Sequence, residues 1–232
     1  PGVQIADIGG GALYAAIGIL IALMGVKQNG VGQYVDTSML DGAVSWLPVL
    51  ANDYFVKGVS PKAAENILNG QNACYEVYET ADGRYISIGA IEPHLWANFC
   101  DAIGKEEFKL WQRDLTKQDE MFACLREMFK SKTQAEWIEK LTGVDCCWAP
   151  VKNLEEVFAD PQVLARDMVY EMTDPAGCYG SVKMIGSAVK LSETPARKEL
   201  FPPRKGEHNA EYLKAVGYSD EQIAEFEKNG II

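Results

Sequence analysis

Two carboxylates, Asp7 and Glu92, lie in sequence contexts that favour a catalytic role. Asp7 is followed, after Ile8, by three glycines and a long apolar segment. A charge beside apolar sequence costs free energy unless it is solvated or has a partner or a function, and glycines let a ligand approach the backbone closely. Glu92 follows a predicted strand and precedes a predicted helix, a position where functional groups are often presented. Both are candidate catalytic residues; the alternatives are helix capping by Asp7 and plain solvent exposure of Glu92.

Glycines next to these carboxylates are candidates for contact with a ligand. Gly9, Gly10 and Gly11 follow Asp7 but lack the Gly-Lys-Ser/Thr of a phosphate-binding loop. Gly70, in Asn69-Gly70-Gln71-Asn72, could contact a ligand backbone or form a plain turn. The six cysteines form no Cys-x-x-Cys pair and there are two histidines, so we predict no metal site and a reduced, cytoplasmic setting.

Composition narrows the class of protein. The 232 residues are 47% hydrophobic and 24% charged, which is typical of a globular chain. The net charge of −11 disfavours nucleic acid as a partner, because phosphate binding needs a basic surface. The apolar run from Ile5 to Val26 could span a membrane. Asp7 within it, the glycine-rich start, and Gly11, Gly18 and Gly25 on roughly one helix face favour a buried helix instead, and we expect no membrane association.

The elements that must position the two carboxylates form two groups. The first 58 residues predict two apolar helices, 10–26 and 38–55, with no strand before them and therefore no layer to cover them. The next group opens with a hairpin around Ala81-Asp82-Gly83, whose second strand alternates apolar and polar residues. The remaining predictions are helices at 93–103, 118–130, 133–143 and from 153, 209 and 219, a strand at 148–151, and further strands within 168–189.

Several segments, in a constant order along nearly the whole chain, form a recognisable pattern. They are Ala6-Asp7-Ile8-Gly9-Gly10-Gly11, Gly18-Ile19-Leu20, Gly30-Val31-Gly32-Gln33-Tyr34-Val35-Asp36, Met39-Leu40-Asp41-Gly42, Tyr78-Glu79-Thr80-Ala81-Asp82-Gly83-Arg84-Tyr85, Gly89-Ala90-Ile91-Glu92-Pro93, Ala149-Pro150-Val151, Glu155-Glu156, Asp160-Pro161-Gln162, Ala165-Arg166, His208-Asn209 and Gly217-Tyr218-Ser219. Together they resemble the family III CoA-transferase (CaiB/BaiF) superfamily, and the segment around Glu92 resembles its α-methylacyl-CoA racemase branch.

The resemblance implies an α/β fold in which a large Rossmann-like CoA-binding domain is joined to a smaller α+β domain. It implies that residues 1–58 belong to the large domain, 59–69 are a linker, 70–168 form the small domain, and 169–232 return to the large one. The family's members form interlocked homodimers, so a homodimer is expected. A coenzyme A thioester is the implied substrate, with no further cofactor, and Gly9, Gly10, Gly11 and Gly70 are the expected contacts to it.

The same resemblance assigns roles to the two carboxylates. Asp7 matches the family's catalytic aspartate, which is an acid/base in the racemases and a nucleophile in the transferases. Glu92 matches the racemase glutamate that assists a catalytic histidine on the opposite face of the substrate. The expected activity is racemisation at C2 of a 2-methylacyl-CoA; the alternatives are CoA transfer through Asp7 and a non-catalytic fragment that associates with a partner.

The chain departs from the family pattern at two places. Racemases carry their histidine upstream of the aspartate, but the six residues before Asp7 include none, and His94 and His208 are not at that position. The loop Gly70-Gln71-Asn72-Ala73 replaces the usual Gly-Gly-Ala-Pro. We therefore expect the C-terminal portion of the family fold, without its N-terminal half, and no complete site in this chain alone.

Overall fold

The computed structural model describes residues 2–197 and 200–232. Its helices and small sheets confirm the α/β class, and they divide into two compact units, Pro1–Pro150 and Val151–Ile232. The predicted division into four segments stays a prediction. The first unit contains a π-helix at Ile5–Ala12, helices α1 (Leu13–Asn29), α2 (Met39–Val44), α3 (Pro48–Lys57), α4 (Pro93–Ile103), α5 (Phe108–Trp111), α6 (Gln118–Phe129) and α7 (Gln134–Leu141), and strands β1 (Tyr75–Glu79), β2 (Tyr85–Gly89) and β3 (Trp148–Pro150).

The first apolar helix is longer than the sequence predicts and is not buried within the described chain. The π-helix runs directly into α1, which ends where Gly30 adopts a left-handed φ of 74°. None of the residues of α1 is buried. The prediction of a buried helix is therefore wrong for this chain, because no second layer of described residues covers the apolar faces. By length and composition Ile5–Asn29 could cross a membrane, a test that the core helix of a soluble protein and a signal sequence also pass.

The second apolar segment forms two helices, where the sequence predicted one from Ser38 to Phe55. Helix α2 begins after Ser38, whose side-chain oxygen accepts a hydrogen bond from the Asp41 N–H at 3.0 Å. It ends at Val44, and α3 begins at Pro48. Proline has no N–H to donate and its ring excludes the helical conformation of the residue before it, so the break occurs there.

The predicted hairpin is confirmed and forms the base of the core in the first unit. Strands β1 and β2 pair antiparallel with Tyr78 opposite Ile86, and β3 pairs antiparallel with β2. Ile86 and Ile88 are 0% and 3% exposed, so the predicted alternation places one face of β2 inward. Helices α4, α6 and α7 pack on that face; the largest side chains of the core are Trp96, Phe99, Phe129, Trp137, Met121, Leu125 and Leu141.

The second unit is a two-stranded sheet with short helices. Strands β4 (Val169–Thr173) and β5 (Ser181–Ile185) lie in the region where strands were predicted, and they pair antiparallel. Asp174, in the turn between them, accepts hydrogen bonds from the N–H groups of Ala176, Cys178 and Tyr179. The helices of this unit are α8 (Leu154–Ala159), α9 (Pro161–Ala165), α10 (Asn209–Ala215) and α11 (Asp220–Lys228).

Candidate functional site

Asp7 lies inside the π-helix and is exposed. The N-cap position belongs to Gln4, and no side-chain bond caps this helix end, so capping does not account for Asp7. Within the described part of the chain, the Asp7 carboxylate takes part in no hydrogen bond or ion pair. π-Helical segments are rare and occur frequently at functional sites. The carboxylate is therefore available for contact with a ligand.

The glycines after Asp7 let the π-helix lie against α2. A Cβ on Gly10 would lie 2.9 Å from the Met39 carbonyl oxygen, and a Cβ on Gly42 would lie 1.9 Å from the Gly10 oxygen. A Cβ on Gly9 would lie 1.9 Å from the indole of Trp46. Gly9 and Gly10 are buried and Gly11 is half-buried. These contacts give Gly9 and Gly10 a packing role that holds Asp7 in place; ligand contact by the three glycines stays a prediction.

Glu92 lies at the junction between β2 and α4. Its backbone is extended, with φ −70° and ψ 134°, and Pro93 begins the helix. The Glu92 carbonyl accepts the Trp96 N–H at 3.1 Å, which secures the first turn of α4. The exposed side chain does not cap the helix, and it has no hydrogen-bond or ion-pair partner among residues 2–197 and 200–232. Glu92 thus presents an unpaired carboxylate from a well-bonded backbone.

Gly70 lies beside a cavity on the exposed side of the small sheet. Its φ of 104° is in the region that L side chains rarely adopt, so glycine is required there. The cavity measures about 640 Å³ and includes Glu76, Ser87 and Cys147 among its lining. Cys147 has a left-handed φ of 50°, an uncommon conformation for a residue with a side chain, and sequence reasoning had no signal for it.

The predicted residues fall into three separate places. Asp7 and its glycines lie on the N-terminal helices, Glu92 begins α4, and Gly70 borders the cavity. No hydrogen bond or ion pair within the described residues joins Asp7 to Glu92. The structure therefore positions each carboxylate locally, Asp7 on the π-helix and Glu92 at the start of α4.

Cysteines and metal-binding side chains are the other groups that could carry chemistry. All six cysteines are free. Burial raises the pKa of Cys100 to about 12 and that of Cys146 to about 11, which disfavours the reactive thiolate at neutral pH. In the part of the chain that the structure describes, no three histidine, cysteine or acidic side chains are grouped as a metal site would require.

Comparison with known proteins identifies the family. The sequence profile of CoA-transferase family III matches residues 1–209. The chain belongs to CoA-transferase family III. Among solved family III structures, a CaiB/BaiF family protein from Brucella suis superimposes with a TM-score of 0.71 at 26% identity, over 93% of this chain and 56% of that one.

Curated relatives of this family III chain include both transferases and racemases. An acyl-CoA transferase of Fusarium pseudograminearum is 32% identical over 100% of this chain and 51% of its own length. The α-methylacyl-CoA racemase of Mus musculus is 32% identical over 98% of this chain and 59% of its own length. The succinyl-CoA:glutarate CoA-transferase of Homo sapiens is 28% identical over 100% and 53%. The chain thus spans about half the length of the curated relatives it matches.

Proposed function

We propose that the intact gene product containing this chain is an acyl-CoA racemase that exchanges the α-proton of a 2-methylacyl-CoA through an enolate. The observation that carries the proposal is Glu92. Its carboxylate is exposed and unpaired within the described chain, on backbone held between β2 and α4. The segment Gly89-Ala90-Ile91-Glu92-Pro93 resembles the racemase branch, and the similarity to the mouse racemase extends over 98% of the chain.

The chemistry requires two acid/base groups and a stabilised enolate. A thioester acidifies its α-hydrogen, so a base can remove that proton while donors to the thioester oxygen stabilise the negative charge. A group on the opposite face then returns a proton to C2, which inverts the centre without net change in composition. In the proposal Asp7 is one acid/base, and Glu92 assists the histidine that serves as the other in the racemase branch.

The proposal extends to the surroundings of the site. Gly9, Gly10, Gly11 and Gly70 are proposed to lie along the coenzyme A thioester, which is substrate, with no further cofactor. The exposed apolar faces of α1 support burial in a larger assembly, and we propose the interlocked homodimer expected from the resemblance. A cytoplasmic location is proposed from the six free cysteines.

CoA transfer is the second candidate, and the names of two similar proteins favour it. The Fusarium relative is an acyl-CoA transferase, and the human relative transfers CoA from succinyl-CoA to glutarate. In this mechanism Asp7 attacks the acyl carbon, expels the CoA thiolate and forms an anhydride. The thiolate then attacks the aspartyl carbonyl, which releases the donor carboxylate and leaves an aspartyl-CoA thioester. The acceptor carboxylate repeats the exchange in reverse: it displaces the thiolate to form a second anhydride, and the thiolate takes the acceptor acyl group and frees Asp7. Glu92 has no required part in that sequence. The third possibility, a non-catalytic chain that associates with a partner, predicts neither activity.

One experiment separates these functions. The intact gene product is incubated with 2-methylacyl-CoA in deuterated water, and deuterium at C2 is measured by mass spectrometry. The assay compares wild type with Asp7→Asn and Glu92→Gln. The control variant is Glu139→Gln, which changes an exposed carboxylate on α7. Racemisation predicts that exchange is lost in both site variants and kept in the control. No exchange by wild type overturns the racemase proposal, and an Asp7 hydroxamate formed with hydroxylamine in wild type and Glu92→Gln alike establishes the transferase.

A further inference from the structure

Three buried amide side chains lie between the Gly70 loop and the start of α4. Asn72, Gln112 and Gln118 are 3%, 6% and 5% exposed. A buried amide is costly unless its polar atoms are hydrogen-bonded, so the bonds that these side chains make show what they hold in place. Sequence reasoning placed Asn72 in a candidate loop but did not single out Gln112 or Gln118, because glutamine is ordinarily exposed.

Gln112 bonds to the backbone that carries Glu92. Its Nε2 donates to the carbonyl oxygens of Ala90 at 3.0 Å and Ile91 at 2.9 Å, the two residues directly before Glu92. The Ala90 N–H donates to the Cys74 carbonyl at 2.9 Å. A single buried side chain therefore holds two consecutive carbonyl groups at the junction between strand β2 and helix α4.

The other two amides connect Gln112 to the loop after Gly70. Gln118 Oε1 accepts the Ala73 N–H at 2.9 Å. Gln118 Nε2 and Asn72 Nδ2 donate to the main-chain oxygen of Gln112 at 3.3 and 3.2 Å. The three amides thus form one continuous set of bonds from residues 72–73 to residues 90–91.

We infer that Gln112 is a positioning residue for Glu92. This inference rests on the racemase proposed above, in which the direction of the Glu92 carboxylate decides the rate of proton transfer. The Glu92 side chain has no partner of its own among the described residues, so the contacts that position it are those of its backbone, and Gln112 holds the two carbonyl groups directly before it. Loss of those bonds leaves two carbonyls to find other donors and lets the junction shift.

Gln134 provides a matched control. It is also 6% exposed, and its Nε2 also donates to a carbonyl of β2, that of Tyr85 at 2.7 Å, at the opposite end of the strand from Glu92. Gln112→Met and Gln134→Met each remove a buried amide donor and keep a similar side-chain volume. Both are made in the intact gene product, and thermal unfolding identifies the folded fraction of each.

The expected result is a selective loss of turnover. Gln112→Met lowers kcat for deuterium exchange by about 10- to 100-fold with KM little changed, whereas Gln134→Met stays within about twofold of wild type for its folded fraction. Gln112→Met adds little to the loss in Glu92→Gln, because both act on one group. Equal effects of the two methionine variants, or additive losses in the double variant, overturn the inference.

A second readout separates this inference from the proposed function. Amide hydrogen exchange of residues 91–96 is expected to accelerate in Gln112→Met and not in Gln134→Met. If wild type shows no deuterium incorporation into any 2-methylacyl-CoA, the racemase proposal fails, and unchanged amide exchange would then reject the positioning role as well. If Gln112→Met does not fold, Gln112→Glu replaces it: its carboxyl donates one O–H when protonated, so activity is expected to fall as pH rises.

Discussion

Replacing Gly42 with alanine is expected to separate the π-helix that carries Asp7 from helix α2. The added Cβ would lie 1.9 Å from the Gly10 carbonyl oxygen, whereas ordinary contacts begin at 3.4 Å. The missing 1.5 Å must come from movement of the backbone, because the Gly10 atoms at this contact are its carbonyl oxygen, carbonyl carbon and Cα. Asp7 lies three residues before Gly10, so the displacement reaches the proposed catalytic carboxylate.

The magnitude differs between stability and activity. Overpacking of this kind costs about 1–3 kcal/mol, and the better helix propensity of alanine over glycine returns about 1 kcal/mol. We therefore expect the free energy of unfolding to fall by no more than about 2 kcal/mol. A displacement of about 1 Å in a catalytic group can lower the rate about 100-fold. Activity should thus be lost far beyond what the lost stability explains.

The assay pairs urea denaturation with deuterium exchange at C2 of 2-methylacyl-CoA, both on the intact gene product. Gly186→Ala is the control, since its Cβ would lie 2.0 Å from the Asp167 carbonyl oxygen, a similar backbone clash in the second unit of the chain. Gly186→Ala should lose stability while its folded fraction keeps wild-type turnover. Wild-type stability and turnover in Gly42→Ala would show that the close approach of Gly42 and Gly10 does not position Asp7.

Three further predictions concern single side chains. Glu92→Gln should lower exchange about 10²- to 10⁴-fold and leave the urea midpoint unchanged, because the carboxylate has no described partner; a shifted midpoint would contradict this. Leu125 is fully buried in α6, so Leu125→Ala should lower the free energy of unfolding by about 2–5 kcal/mol. Leu110 is 88% exposed in α5, so Leu110→Ala should change the urea midpoint little. Similar midpoints for the two variants would refute the core assignment. A hydrogen bond from the Thr80 hydroxyl lowers the pKa of Asp82. Asp82 therefore stabilises the fold above the unfolded pKa of about 3.9, and this contribution is lost as pH falls through the lower folded pKa. Asp82→Asn should remove that part of the acid sensitivity in urea titrations, and an unaltered pH profile would contradict it.

Local rules predicted several elements well. The Asp82-Gly83 turn and the alternation in β2 gave the hairpin in its observed place. Capping boxes at Thr133 and Ser219 marked the starts of α7 and α11, and both boxes form in the structure. These features depend on neighbours within a few residues, which a single sequence displays directly.

Features that depend on contacts between residues far apart in the sequence were not predicted. The π-helix arises where Gly10 meets Gly42, and that approach cannot be read from the run of three glycines. The Gln112 bonds join residues more than twenty positions apart. The family pattern named Asp7 and Glu92, but a single sequence does not display how two carboxylates 85 positions apart are arranged in space. Pro48 is a signal in the sequence for the break between α2 and α3, because proline disrupts the interior of a helix.

The most direct test of the racemase proposal follows one stereoisomer in deuterated water. A single epimer of a 2-methylacyl-CoA is given to the intact gene product, and both deuterium at C2 and the ratio of epimers are measured over time. We predict that deuterium enters C2 as the other epimer appears, and that Glu92→Gln lowers both rates about 10²- to 10⁴-fold. Unchanged C2 with the acyl group trapped on Asp7 would contradict it and assign the protein to CoA transfer.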